Sequence, residues 1–272
     1  MNRRKSLFLL FSLIALCFLS IKAYHFYKTA SARGTSTVYE PLPKKIEAYY
    51  NKLFVRSPVY EFLRKAYYTF GIEKKSIIHV GAREAEELSI YESHDIYHIL
   101  WIEADPEAEK KLRSVVKNHP LSRVEIFAAT DQNGIITLRK TSNDGHSSSI
   151  LKLKNHLLHY PSIVESKTFD VPQKRLDDFL TAEEKEQYNI IVLDIQGAEL
   201  IALKGAENTL KHIDAIITEL NYDELYEGAV LVQNLDQYLL AQGFTRVDTI
   251  SIAPYTGDAL YVKNKFFKQS LT

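Results

Sequence analysis

The chain has 272 residues, 46% hydrophobic and 25% charged, which suits one large α/β domain or two small ones with a real core. Its 34 Lys+Arg balance 34 Asp+Glu, and zero net charge argues against nucleic acid as an obligate partner, because phosphate binding leans on an excess of cations. One cysteine, Cys17, rules out a disulfide framework or a cysteine zinc site within the chain, and no Asn-x-Ser/Thr sequon occurs.

Arg3, Arg4 and Lys5 precede an apolar run from Leu7 to Ile21, which Lys22, His25 and Lys28 close. Residues 1–30 read as a signal anchor whose flanking side chains extend a short membrane span. A secretory signal peptide cut near Ala30-Ser31-Ala32 is the alternative, although Ser20 to Thr29 is basic and aromatic and suits cleavage poorly. Basic residues flank the run on both sides with similar weight, so orientation stays open. Cys17 reads as an apolar filler. Residues 31–43 are small, polar and proline-containing, a linker. Residues 44–75 form a helical lead-in, with Ile46, Tyr49, Tyr50 and Leu53 at helical spacing before Ser57-Pro58 and Tyr60, Phe62, Leu63 and Tyr67 after it. These helices are expected to cover one face of the main domain. The alternative is that they lie on a membrane through Lys44, Lys45, Lys52 and Arg56.

From Ser76 onward strands alternate with helices. Ser76–Ala82 is a buried strand running into a turn at Gly81, and Glu84–His94 reads as a helix. His98–Ala104 is a second strand ending on Glu103. A helix capped by Asp105, with Pro106 in its first turn, runs to about Asn118. Arg123–Thr130 is a third strand, and Ile135–Thr141 is expected to pair back on it across Asn133-Gly134. A polar loop, Ser142–Ser149, follows, then a short extended piece at Phe169–Pro172 and a helix over Leu176–Gln187. Ile190–Leu193 is a strand ending on Asp194, with a turn at Gln196-Gly197 and a helix from Ala198-Glu199 to Lys204-Gly205. Ile213–Asn221 is a strand carrying Glu219 near its end. A helix over Val230–Gln242 with Gly243 at its C-terminus leads to a closing hairpin, Thr245–Ile252 and Gly257–Lys263. The pattern predicts an α/β fold: a Rossmann-like, mostly parallel seven-stranded sheet with a terminal antiparallel hairpin and helices on both faces, spanning residues 76–265.

In such a sheet, ligands lie at the carboxyl ends of the strands. Gly81-Ala82 presents small residues there, and Glu103, 22 residues on, stands where an acid meets a ribose. A plain turn and an exposed acid would read the same. No full GxGxxG occurs, and Glu84 and Glu86 beside the turn would repel a pyrophosphate, which argues against a nicotinamide dinucleotide. A cofactor with adenosine, no phosphate and a positive charge fits better: S-adenosyl-L-methionine. Asp194 is the candidate general base or positioning carboxylate, with Glu219 or His146 assisting. The other reading of Asp194 is an acid serving the dipole of the following helix. His146 with Ser147–Ser149 reads as a lid or as a solvated loop. His79, mid-strand, reads more readily as a satisfied core histidine. No spacing of His, Asp and Glu suggests a dedicated metal site.

With these residues in hand, the chain resembles the FkbM-type methyltransferases. The matching segments are IIHVGAREAEELSIY, LWIEADPEAEKKL, FAATDQNGIITL, HSSSIL, RLDDFL, IIVLDIQGAELIALKGAENTL, IITELN and GDALYV, covering Ile77 to Lys263. The resemblance implies S-adenosyl-L-methionine binding by His79, Gly81, Ala82, Glu103, Ala104 and Asp131. It also implies a signature turn on the acceptor side holding Gln196, Gly197 and Glu199, with Asn221 nearby. It implies methyl transfer to a hydroxyl of a sugar, glycan or small-molecule acceptor. The family commonly has Asp, Asn and Gly where His79, Arg83 and Ala85 stand, and Glu where Gln196 stands. A membrane-tethered binding module that keeps the fold and has lost the chemistry is the competing reading.

Overall fold

The computed structural model describes residues 57–267. The readings of residues 1–56 (anchor, linker and first half of the helical lead-in) lie outside them. The described residues fall within one compact unit, Arg56–Thr272. No helix among them is long and apolar enough to cross a membrane.

In chain order the elements are α1 (Pro58–Tyr68), β1 (Ile77–Val80), α2 (Leu88–Ser93), β2 (Ile99–Glu103), α3 (Glu109–Val116), β3 (Ser122–Ile126), β4 (Ala128–Ala129) and β5 (Gly134–Thr141). There follow α4 (His156–His159), β6 (Glu165–Lys174), α5 (Leu176–Phe179), α6 (Ala182–Gln187), β7 (Ile190–Leu193), α7 (Glu199–Lys204), β8 (Ala215–Asn221), α8 (Val232–Ala241), β9 (Phe244–Ala253) and β10 (Thr256–Lys263). The main sheet has seven strands in the order β3-β2-β1-β7-β8-β10-β9. Every pairing is parallel except those of β10, which is antiparallel to both β8 and β9. This is the expected sheet with its closing hairpin. The order reverses between β1 and β7, so the carboxyl ends of those two strands flank the crevice where ligands bind in open α/β sheets.

The central strands are buried on both faces, which is why Ile99–Ile102 and Ile190–Leu193 read as unbroken apolar runs and Ile77–Val80 as one interrupted only by His79. On one face Ile77, Ile190, Val192, Ile217 and Leu260 pack with Phe62, Leu63 and Tyr91 of α1 and α2. On the other, Ile78, Val80, Ile191 and Leu193 pack with Leu203 and with Leu235 and Leu239 of α7 and α8. Helices therefore cover both faces. Pro58 opens α1 at its first turn, where a missing N–H costs nothing, and Phe62, Leu63, Ala66 and Tyr67 are the stripe it buries.

Four local expectations are corrected. The expected helix over Glu84–His94 begins only at Leu88, because Arg83 (φ 41) and Ala85 (φ 57) take left-handed conformations that an α-helix cannot hold. Arg123–Thr130 splits: β3 stays in the main sheet, while Ala128-Ala129 pairs with β6 in a second, three-stranded sheet. Ile135–Thr141 does not fold back on the third strand; β5 pairs antiparallel with the ten-residue β6, which is much longer than the piece read from Phe169–Pro172. Leu176–Gln187 is two helices, because Leu180 is extended and Thr181 starts α6 with a capping box to Glu184.

Candidate active site

A cavity of about 220 Å³ opens at the carboxyl ends of β1, β2 and β7, and the loop 142–149 forms part of its wall. Of the residues singled out in the sequence, Gly81, Ala82, Glu103, Ala104, Asp194, Gln196 and His146 line it. Asp131, Gly197, Glu199, Glu219 and Asn221 stand off the wall. His79, expected among the cofactor-binding residues, is 2% exposed, and its Nδ1 lies 2.6 Å from the Tyr91 hydroxyl. Its ring also packs 5.1 Å from that of Trp101. It is a core histidine, and burial pushes it down to about 4 against the pull of Asp194. It is neutral at pH 7.

The turn after β1 is shaped by its neighbours in the protein. Gly81 has φ 88, and a Cβ there would lie 1.9 Å from the carbonyl oxygen of Asp194. Glycine is required there because two strand ends meet, β1 and β7. Ala85 is buried and off the cavity wall, so its departure from glycine adds backbone strain and leaves the cavity open.

Glu103 ends β2 and is 7% exposed. Its Oε2 accepts the Arg83 amide at 2.6 Å and its Oε1 the Asp105 amide at 2.7 Å. Burial raises its carboxyl, and the two amides oppose that rise. The carboxylate thus ties the turn after β1 to the turn after β2 and keeps its remaining lone pairs for a ligand hydroxyl. Beside it, Ala104, Ala108 and Ala128 leave room, and Phe127, Leu138 and Ile150 make an apolar flank. Acids dominate the charged lining: Glu84, Glu86, Glu87, Glu103, Asp105, Glu107, Asp144 and Asp194 against Arg83 and Lys140. Lys140 is held by Asp105 at 2.7 Å and Glu107 at 3.0 Å. Arg83 bonds Glu86 at 2.8 Å and Nδ1 of His146 at 2.7 Å, which ties loop 142–149 to the turn after β1.

The signature turn forms the opposite wall. Gln196 sits at φ 55, and its Nε2 donates to Oδ1 of Asp194 at 2.7 Å and to Oε2 of Glu219 at 3.2 Å. Its Oε1 accepts the Tyr226 hydroxyl at 3.0 Å, and its carbonyl accepts the Ser149 hydroxyl at 2.8 Å. Glu199 is fully buried beneath the turn, and its Oε1 accepts the amides of Gly197 at 3.1 Å and Ile195 at 3.3 Å. Its function is to hold the turn; burial, offset by these amides and reinforced by Asp194, lifts it to about 7. Asp194 is solvent-accessible through the cavity, yet the protein crowded around it raises its carboxyl, while the Gln196 amide draws it back down. Burial, then Asp194, Glu199 and Asp258, raise Glu219 well above the carboxylate range. Asn221 is 2% exposed at the end of β8, and neither its side-chain oxygen nor its nitrogen has a partner among the described residues.

Sequence reading missed Tyr226 and Asp258. Tyr226 comes from an aperiodic loop and reaches Gln196 and the Ser147 carbonyl only through the tertiary fold. Asp258 carried a signal: it is an acid breaking the apolar pattern of a closing strand, opposite Glu219 in the register. Among the described residues no group of three His, Cys, Asp or Glu is placed to hold a metal ion.

A family model described as "Methyltransferase FkbM domain" matches residues 79–246. The chain is 35% identical over 134 residues to the 2-O-methyltransferase NoeI of Sinorhizobium fredii (strain NBRC 101917 / NGR234), a match covering 46% of this chain and 54% of that protein. The chain thus spans about half the length of that relative. Among solved structures, Streptococcus pneumoniae Sp1610 matches with TM-score 0.45 at 12% identity, over 80% of each chain. An S-adenosylmethionine-dependent methyltransferase from Clostridium acetobutylicum ATCC 824 matches with TM-score 0.42 at 9% identity, over 81% of this chain and 98% of that one.

Proposed function

The chain belongs to the FkbM family of S-adenosylmethionine-dependent methyltransferases, and we propose that it methylates a hydroxyl oxygen of a sugar, glycan or small polyhydroxyl acceptor. The observation that carries this reading is the pairing of an acid-lined, phosphate-averse pocket beside Glu103 with a solvent-accessible carboxylate, Asp194, across the same cavity. The similarity to a 2-O-methyltransferase supports oxygen as the atom methylated.

The residues present fit the cofactor. Glu103 offers lone pairs to ribose hydroxyls, the apolar flank of Phe127, Leu138 and Ile150 suits a base, and the acidic lining suits a sulfonium and an ammonium. When bound, the cofactor supplies an electrophilic methyl on a good leaving group. The protein's contribution is alignment and a proton acceptor. With the cofactor bound, Asp194 would accept the proton of the acceptor hydroxyl as that oxygen takes up the methyl group, the thioether being the leaving group. Gln196 aims the Asp194 carboxylate, and Tyr226 fixes Gln196. Arg83 and His146 join two walls of the cavity.

The test is calorimetry of the full chain with S-adenosylhomocysteine, followed by labelled-methyl transfer to a panel of oligosaccharides and polyhydroxyl compounds. Binding with transfer to at least one hydroxylated acceptor is expected. Absence of binding would instead favour a module that has kept the fold alone. The basic start and the apolar run Leu7–Ile21 support a membrane anchor as part of this proposal. Protease accessibility on intact membranes tests that part.

A further inference from the structure

Strands β7, β8 and β10 lie side by side, and each carries a carboxylate at the same level of the sheet. Leu193 pairs with Thr218, so Asp194 and Glu219 come next, and Glu219 pairs directly with Asp258. Alternation along the strands puts all three on the face of Val192, Ile217 and Leu260. Like charges directly opposite one another across strands about 5 Å apart destabilise a sheet. The cations around them are engaged elsewhere: Arg83 on Glu86 and His146, and Lys65 of α1, which packs on β8 and β10, on Asp248.

Between Asp194 and Glu219 the repulsion is relieved by the two donors of the Gln196 amide. Between Glu219 and Asp258 no comparable donor intervenes among the described residues. Behind them, Glu199 is fully buried, and its Oε2 has no hydrogen-bond partner among the described residues. Its charge is among those that act on Glu219. A buried carboxyl oxygen without a donor, beside two more carboxylates, is the environment in which acids retain protons.

We propose that Asp258 is a positioning residue for methyl transfer: it shares a proton with Glu219 across the β8–β10 ladder, which leaves Asp194 as the ionised carboxylate of the row. Asp194 is then free to accept the acceptor's hydroxyl proton, and Glu219 and Asp258 do not take it. The other groups facing the row are consistent with this. His79 of β1 is neutral above about pH 4 and brings no positive charge. Tyr91 of α2 and Tyr226 stay un-ionised, both raised by burial. Glu87 adds further negative charge, and Ile250 lies opposite Asp258 on β9. Burial first, then Asp194 and Glu87, lift Asp258 to about 7. The role given to Asp194 rests on the methyltransferase reading; the protonation itself does not.

The experiment is difference infrared spectroscopy of the full chain in D2O, following the carbonyl band of protonated carboxyls from about pH 5 to 9. Wild type, Asp258→Asn and Asp194→Asn are compared, with circular dichroism as the check on folding. Wild type is expected to lose band intensity in a step near pH 7. Asp258→Asn is expected to shrink the step to the part contributed by Glu199, which is also lifted to about 7, and Asp194→Asn to move it to lower pH by removing a neighbouring charge. Absence of the step in wild type, or a step of undiminished amplitude in Asp258→Asn, overturns the proposal. If Asp258→Asn does not fold, an unmoved step in Asp194→Asn overturns it, because that variant keeps Asp258. Calorimetry with S-adenosylhomocysteine separates the two ideas: wild type that does not bind defeats the methyltransferase reading and leaves the titration result standing.

Discussion

The Gln196 amide nitrogen reaches two carboxylates at once, Asp194 at 2.7 Å and Glu219 at 3.2 Å. It does so from a left-handed backbone, φ 55, that a residue with a side chain adopts at a cost. Strain retained at a cavity wall is the kind that folding keeps only when the neighbouring contacts over-determine it. Gln196→Glu replaces the shared donor with a third acid. Its carboxyl would be raised by its neighbours, so the variant is stable at low pH and loses stability as pH rises. At about pH 8 we expect a loss of ~1–3 kcal/mol in urea unfolding relative to wild type, shrinking towards about pH 5. An equal deficit at both pH values counts against the role given to Gln196.

Asp194→Asn keeps the size of the side chain and removes its ability to accept a proton. Binding of S-adenosylhomocysteine should change little, since Glu103 and the apolar flank lie on the other side of the cavity. Methyl transfer to any acceptor found should fall by ~10²–10⁴, the usual contribution of a positioned general base. Turnover within twofold of wild type would remove Asp194 from the mechanism.

Gly81 is fixed by the Asp194 carbonyl, 1.9 Å from where a Cβ would sit. Gly81→Ala must push β1 and β7 apart at the crevice as well as bear a positive φ. The loss should therefore exceed the ~1–3 kcal/mol of a strained conformation alone and show as a fall in the urea midpoint or failure to fold. Gly228, also at positive φ but with no atom near its Cβ position, is the comparison site, and Gly228→Ala should cost no more than that strain.

The sheet was legible because its central strands are buried on both faces and read as apolar runs stopped by polar residues. Gly81, Glu103 and Asp194 mark those stops, and all three line the cavity. The small sheet was not legible. Strand β6 is mostly exposed, so no alternation marks it, and its partner β5 lies across a long loop rather than a tight turn. Glu219 and Glu199 read as strand-end and helix-start acids, but only the fold shows one sharing the Gln196 amide and the other buried under the turn. His79 stood beside the right motif on the wrong side of the strand, pointing into the aromatic core with Tyr91 and Trp101.

That core position has a consequence for acid stability. His79 is held neutral down to about 4, whereas in the unfolded chain it takes up a proton near 6.5. Below about pH 6.5 the unfolded state therefore binds the extra proton and stability falls, by up to roughly 3 kcal/mol by pH 4. His79→Gln should reduce this acid slope at the cost of a packing penalty that does not vary with pH. Urea unfolding of both proteins at a series of pH values between about 4 and 8 checks it. Parallel curves for the two would contradict a histidine buried in its neutral form.

Glu103→Gln looks conservative and is expected not to be. Both carboxylate oxygens accept backbone amides, Arg83 N on one and Asp105 N on the other. A carboxamide has one accepting oxygen, so its NH2 must face one of those N–H groups whichever way it turns. One buried amide loses its acceptor and meets another donor, at ~1–3 kcal/mol. Because the two amides belong to the turns after β1 and β2, the displaced turn opens the cofactor side of the cavity. Unfolding should show the stability loss, and calorimetry should show S-adenosylhomocysteine affinity reduced by at least tenfold, equivalent to ~1.4 kcal/mol. Glu103→Asp keeps two accepting oxygens on a shorter stem, reaches one amide, and should fall between wild type and Gln. Full affinity in Glu103→Gln would show that the carboxylate joins the turns without shaping the ligand side of the cavity.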